Sequence, residues 1–363
     1  MLNKLLTKKE SQPLSQVDVE LQKLAGELLG QIDFSLLDKN FIEEEWKKDK
    51  IKKIAAKVEI KNGVPFFDAP YGHHHGRYPD LRYTMIEACR RNPIQDCKFI
   101  VFLNDAYASS FPAFSIIRRL KEDIYNIPIP MGNSRGKREG CGTPILGWDE
   151  YINAHMSNSD SLYPWKEKSD VAVFRGQYAY QTYKLGEYTK TRAKSWVDVN
   201  RGHLYDLCKE RKDLFDVGFN KVGQNNTEEE IPVIEAIPFF DQQRYKYIIS
   251  VGTNANWAER IRLHMFTNSV LLKHEAECME WFYYLMKPWE HYIPFNLMMT
   301  DLQEKVEWAK QNDEKCQNIV KSANEFSQKY LNEKTMLDFT AIAIKQYSYM
   351  YNDIGTREAS LAE

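Results

Sequence analysis

Two short stretches of this 363-residue chain bring charge to backbone turns of the kind that hold anions. In the first, the apolar run Tyr247–Val251 breaks at Gly252, and a helical pattern follows from Asn256 to about Phe266, carrying Arg260 and Arg262 in its opening turns. Free backbone N–H groups and the helix dipole favour an anion at such a start. A guanidinium adds planar, bidentate recognition of phosphate. In the second, the strand pattern Asp170–Phe174 delivers Arg175-Gly176-Gln177, where glycine permits close backbone approach and arginine supplies charge. Arg260 and Arg262, on a first helical turn, also read as solvated surface residues. A carboxylate, Asp105, follows the buried strand pattern Lys98–Leu103, the rim where active sites of parallel sheets form. It reads equally as a turn or N-cap aspartate.

Other polar clusters carry less. The run His73-His74-His75 sits in a glycine-flanked loop before Arg77. Adjacent side chains of an extended loop point to opposite sides, so three consecutive histidines do not converge on one metal ion. That loop is expected to face a cleft or solvent. The basic glycine-rich segment Met131–Gly142 is not a phosphate-binding P-loop: its glycine spacing is one residue short, and Arg138 stands where Ser or Thr is required.

The elements that position these residues read as α/β. Tyr245–Pro294 runs strand, turn, helix, strand, short helix, strand, the unit of a parallel sheet. Val58–Phe67 reads as a hairpin around Asn62-Gly63. Helices are expected from Val17, over Phe41–Ala56, Leu81–Arg91 and Tyr188–Arg211, and in three consecutive segments from Thr300 to Tyr351. The Tyr188–Arg211 helix would carry Arg192 and Arg201.

Composition bounds the partners. A net charge of −2 leaves no basic footprint for nucleic acid. No run of eighteen apolar residues is present, so no membrane span is expected. The six cysteines lack metal-ligand or framework spacing and read as free thiols. The amino terminus lacks a signal-peptide pattern and the last four residues are not an ER-retention signal, so the chain as it stands reads as cytoplasmic, or as lumenal if a leader has been removed.

The ordered blocks Tyr245-Lys246-Tyr247, Gly252, Trp257-x-x-Arg260, Ser269-Val270-x-Leu272-Lys273, Glu280-Trp281-Phe282-Tyr283 and Lys287-Pro288-Trp289-x-His291-Tyr292 resemble glycosyltransferase family 90. Phe174-Arg175-Gly176 matches the family's upstream motif. The resemblance is densest from Asp170 to Leu331 and traceable back to Val58. This family includes the protein O-glucosyltransferases and the capsule-associated xylosyltransferases of fungi.

The resemblance implies the GT-B arrangement, two facing Rossmann-like domains with a cleft between them. An acceptor-side domain would span residues 1–165 and a nucleotide-sugar domain 166–330, with 331–363 returning to the first. It implies an inverting transfer of xylose or glucose from a UDP-sugar to a hydroxyl of a glycan or protein, giving a β-glycoside. Asp105 matches the family's general base, with Asp68 and Asp80 in reserve. Asn104 and Ala106-Tyr107-Ala108 depart from the family's usual surroundings. Arg175 and Arg260 would hold the diphosphate, with Gly176, Gln177, Gly252, Thr253, Asn256 and Trp257 lining the nucleotide. Glu277 is a candidate for the ribose hydroxyls, or a surface helix residue. Trp281 and Trp289 read as core. No cofactor or metal is expected, because the chain contains no Asp-x-Asp and arginines can neutralise the leaving diphosphate. The rival reading is a non-catalytic protein binding sugar nucleotide or glycan on the same fold. A dinucleotide-dependent oxidoreductase would need G-x-G-x-x-G after a first strand, which is missing.

Overall fold

The computed structural model describes residues 15–37, 40–71, 77–104, 109–119, 125–130, 148–156, 158–178, 185, 193–223, 228–252, 259–275 and 278–361. From the amino end come α1 (Gln16–Gly30), α2 (Phe41–Trp46) and α3 (Asp49–Lys52), then β1 (Ala55–Lys61) and β2 (Val64–Asp68). Next are α4 (Tyr78–Arg91), β3 (Cys97–Phe102), β4 (Ala113–Ser115), β5 (Ile117–Arg119) and β6 (Asn126–Pro128). Short helices α5 (Trp148–Met156) and α6 (Ser159–Leu162) lead to β7 (Ser169–Tyr178). Then follow α7 (Asn200–Cys208), β8 (Phe215–Val222), β9 (Tyr245–Ser250), α8 (Glu259–His264), β10 (Val270–His274), β11 (Cys278–Glu280) and β12 (Ile293–Phe295). Helices α9 (Leu302–Gln311), α10 (Asp313–Tyr330) and α11 (Glu333–Leu361) close the chain.

The fold is mixed α/β with two five-stranded sheets. The first has the order β2-β1-β3-β4-β6. Its β1 pairs antiparallel with β2 and β3, while β3, β4 and β6 run parallel. Asn62 and Gly63 turn the β1–β2 hairpin with φ of 51° and 74°, the left-handed pair that a type I′ turn demands. The second sheet, β12-β10-β9-β7-β8, is parallel throughout. Its inner strands are covered on both faces: β9 is buried from Tyr247 to Ser250 and β10 at every position.

Between the sheets lies a two-stranded antiparallel ribbon in which Met279 of β11 pairs with Arg118 of β5. One hydrophobic core runs on from the first sheet to α8 and the Trp281–Tyr284 turn, while a second fills the other face of the parallel sheet under α7, α9 and α10. Helix α11 returns to pack on α1 and α4. Its Tyr347 lies among Phe34, Phe99 and Phe114 and donates to the Lys98 carbonyl at 3.1 Å.

Three expectations change. Phe41–Ala56 is not one helix: it breaks after Trp46 and again after Lys52, and Ala55 and Ala56 enter β1 opposite Phe102 and Val101. Ladder pairing beside a buried strand overrides the helix preference of alanine. The segment before Asn200 is not a continuation of α7: Ser195 caps a separate short turn, Trp196–Asp198, through a capping box with Asp198. Finally, Arg175-Gly176-Gln177 lies inside β7 rather than past its end, and the ladder to β8 shifts register between Gly176 and Gln177.

Buried histidines tie this fold to pH. His274, wholly buried on β10, stacks on Phe295 and donates from Nε2 to the Leu297 carbonyl at 2.8 Å. Burial pushes its pKa down to about 4, and burial also holds His264 well below the usual range. Between pH 6.5 and 4 the unfolded chain therefore binds protons that the folded chain refuses, so stability falls as pH drops through that window. The shift at His274 corresponds to a loss on the order of 3 kcal/mol. Urea midpoints of wild type and His274→Gln between pH 7 and 4.5 check this. The variant should lose stability less steeply, and parallel curves would contradict the account.

Candidate functional site

The carboxyl edge of the parallel sheet gathers side chains from three elements. At Phe174 on β7 the ring carries Arg260 of α8 at 4.8 Å and Arg201 of α7 at 5.6 Å, measured from guanidinium carbon to ring centroid. Arg260 donates from Nη2 to the Arg175 carbonyl at 2.7 Å, and Arg201 from Nη1 to the Gln177 carbonyl at 2.6 Å. Neighbouring Asn200 donates to the Gly252 carbonyl at 3.3 Å. The start of α7 thus fastens the ends of β7 and β9 to each other.

These two guanidiniums are balanced by no acid among the described residues. Among the described residues neither has a carboxylate partner, and Arg260 Nη1 and Arg201 Nε are buried without any hydrogen bond. Burial pushes Arg260 down to about 9, with the charge of Arg201 adding to the effect, and pushes Arg201 down to about 10. Both stay charged at neutral pH. Two desolvated cations beside one aromatic ring form a site that an anion would complete.

Gly176 leaves room for the arrangement. A Cβ there would lie 3.2 Å from Arg260 Nη2 and 3.4 Å from the Phe174 ring. The glycine of the Phe-Arg-Gly motif therefore gives room to a protein guanidinium, where the sequence pointed to a ligand. Gly202 on α7 is needed for a related reason: a Cβ would sit 1.7 Å from the Trp196 carbonyl oxygen.

Arg175 and Arg260 are brought together, but through the backbone of Arg175. Side chains alternate along a strand, so the Arg175 guanidinium turns to the face opposite Phe174. There it is buried, and Nη2 pairs with Asp216 Oδ1 at 2.6 Å. Asp216 also accepts from the Tyr245 hydroxyl at 2.6 Å. Arg262 parts from Arg260 as well: two positions along a helix do not share a face. It is buried over Trp148 and reaches toward Glu280 at 3.9 Å. Trp281 is core, stacked on Phe339, whereas Trp289 is 43% exposed. Of the remaining sequence candidates, Gly252 ends in the site through its carbonyl, and Gln177 through its own. Asp105, Thr253, Asn256, Trp257 and Glu277 lie outside the described residues, as do Arg192 and the histidine run. The approach to Asp105 is described as far as Asn104. Arg77, buried, donates to the Leu103 carbonyl at 2.6 Å and fixes the end of β3.

The role of Arg201 was missed in the sequence. It reads there as one of many charges on a basic helix. The signal that marks its place is local: the Ser195-x-x-Asp198 box ends one turn and lets a new helix begin at Asn200, so Arg201 occupies a first helical turn. Among the described residues no cluster of His, Cys, Asp and Glu is placed to hold a metal ion, and no helix is long and apolar enough to cross a membrane.

Known proteins share this region. Protein O-glucosyltransferase 3 of Mus musculus is 35% identical over 159 residues, 43% of this chain and 28% of that protein. Protein O-glucosyltransferase 1 of Rattus norvegicus is 27% identical over 203 residues, 54% of this chain and 45% of that protein. Uncharacterized protein 035R of Invertebrate iridescent virus 3 is 26% identical over 342 residues, 81% of this chain and 29% of that protein. The chain thus spans less than half the length of each of these relatives. The family model for Glycosyl transferase family 90 matches residues 141–362, a span that holds Phe174, Arg175, Gly176, Arg201 and Arg260. With more than half of its length matched and the arginine pair within the match, this chain belongs to glycosyl transferase family 90.

Proposed function

We propose that the chain is an inverting, metal-independent glycosyltransferase of the GT-B arrangement, moving a sugar from UDP to a hydroxyl of a glycan or protein. The observation that carries this reading is the pair Arg201 and Arg260, without a carboxylate partner among the described residues, over Phe174 at the carboxyl edge of an all-parallel sheet. Ligands of open α/β sheets bind outside the carboxyl ends of the strands. A nucleoside diphosphate both satisfies the two guanidiniums and develops charge as it leaves. Groups already aimed at that charge lower the barrier without reorganising, each by about 2.7–4 kcal/mol.

Asp105, after β3 in the first sheet, takes the acceptor proton as the hydroxyl attacks the anomeric carbon. That carbon loses its bond to the diphosphate oxygen in the same displacement, so an α-linked donor gives a β-glycoside. Names of the matched relatives favour glucose as the sugar. Xylose, smaller by one hydroxymethyl group, is the other donor to try.

The test is UDP release from UDP-glucose, UDP-xylose and UDP-galactose, with and without EDTA, followed by the anomeric configuration of any product. Release from one donor that EDTA leaves unchanged, with a β-linked product, supports the reading. An α-linked product or loss of activity with EDTA overturns the mechanism. UDP binding without release from any donor favours the non-catalytic reading instead.

A further inference from the structure

The end of β7 that carries the anion site is not held by regular pairing alone. Its ladder to β9 ends at Val173, and its ladder to β8 shifts register after Gly176. Between those two points lies Arg175, whose carbonyl accepts from two side chains, Arg260 Nη2 at 2.7 Å and Gln242 Nε2 at 3.2 Å. A guanidinium fastened to a main-chain oxygen follows that oxygen. The place of Arg260 over Phe174 therefore depends on what fixes the Arg175 backbone.

The Arg175 side chain supplies a clamp from the opposite face of the sheet. Its Nη2 pairs with Asp216 Oδ1 of β8 at 2.6 Å, and Nη1 donates to the Phe174 carbonyl at 3.3 Å and the Asp216 carbonyl at 3.4 Å. Gly218 of β8 stands in register with Arg175 and leaves room for this contact, since a Cβ there would lie 3.3 Å from Nη1. Asp216 is itself aimed by Tyr245, the first residue of β9, whose hydroxyl donates to Oδ2 at 2.6 Å. Burial, with the bond to Asp216, pushes that hydroxyl up to about 12, so it keeps its proton at neutral pH. One carboxylate thus ties β8, β7 and β9 together on the face away from Phe174.

We propose that Asp216, oriented by Tyr245, is a positioning residue for the anion site: it holds Arg175 against β8 and so places the carbonyl that fixes Arg260, without itself touching the ligand. The inference rests on the reading of Arg201 and Arg260 as contacts to a diphosphate. It carries a sign of its own. Neutralising an acid near an anion site strengthens anion binding through the Coulomb interaction. Losing the place of Arg260 weakens it. A weaker complex after removal of a negative charge is therefore the mark of lost position.

The test is isothermal titration with UDP on wild type, Asp216→Asn, Tyr245→Phe, Arg260→Ala and the double variant Asp216→Asn/Arg260→Ala, with urea midpoints as the control for folding. Alanine at Asp216 would leave a buried guanidinium without its counter-ion and endanger the fold. Asparagine keeps shape and an acceptor, and Tyr245→Phe removes one hydroxyl and no charge, so it carries the test if Asp216→Asn does not fold. The expected result is UDP affinity about tenfold weaker in Asp216→Asn and about threefold weaker in Tyr245→Phe, with no further weakening by Asp216→Asn once Arg260 is gone. Wild-type or tighter UDP binding in either single variant overturns the proposal while Arg260→Ala still weakens it. So does an Asp216→Asn loss that is just as large in the Arg260→Ala background. Wild-type affinity in Arg260→Ala overturns the diphosphate reading, and this proposal with it.

Discussion

Replacing Arg260 by alanine is expected to lower kcat/KM for the UDP-sugar about 10²–10³-fold, the range found when one preorganised contact to developing negative charge is removed. The structure makes this substitution clean. Arg260 holds the Arg175 carbonyl, but Gln242 donates to the same oxygen at 3.2 Å, so truncation leaves no orphaned acceptor in β7. The remaining cation, Arg201, is relieved of a like-charged neighbour, and the fold should be kept or slightly stabilised. Activity and stability therefore move in opposite directions, which a merely structural arginine would not produce. Arg260→Lys should recover only part of the loss, because an ammonium lacks the planar fork. Gly176→Ala should mimic the defect in milder form by pressing on Arg260 Nη2. Isothermal titration with UDP and steady-state kinetics check all three. Wild-type UDP affinity in Arg260→Ala would remove the diphosphate from this site.

The substitution Asp105→Asn is expected to cost more at the chemical step and nothing in donor affinity. The change keeps size and hydrogen bonding but removes the base, and a positioned general base contributes about 10²–10⁴ in rate. UDP binding should be unchanged, since the proposed anion contacts belong to the other sheet. Single-turnover transfer to a hydroxyl acceptor, with UDP affinity measured in parallel, separates the two effects. A fall in kcat smaller than tenfold would shift the role to Asp68 or Asp80. Asp68 is already engaged as acceptor for Trp46 Nε1 at 2.6 Å, which makes it the weaker substitute.

Much of the architecture was legible because it rests on local patterns. The Asn62-Gly63 turn, the apolar runs of β3 and β9, and the three closing helices each declare themselves within a dozen residues. What could not be read depends on partners far along the chain. Ala55 and Ala56 become strand only because β3 lies beside them. Arg175 looks like a ligand arginine until Asp216, forty-one residues on, claims it from the neighbouring strand. Conversely, Arg201 looks like solvated charge until Phe174 and the Gln177 carbonyl are brought beneath it. Periodicity reports which face of an element is apolar. It does not report which arginines will meet over one aromatic ring with no carboxylate partner among the described residues, as Arg201 and Arg260 do.

The return of α11 to the first sheet sets a clock on synthesis. Phe99 and Phe114 are translated early, yet the tyrosine that packs on them is residue 347, and Arg91 waits for Asp338. At roughly 5–20 residues per second the ribosome needs about ten to forty seconds to travel from β5 to α11. Throughout that interval the first sheet has strands without the helix that covers them. The amino-terminal half is therefore expected to complete its packing only after α11 has been made. A chain ending before Glu333 should accumulate as aggregate, even though it contains every residue assigned here to the chemistry.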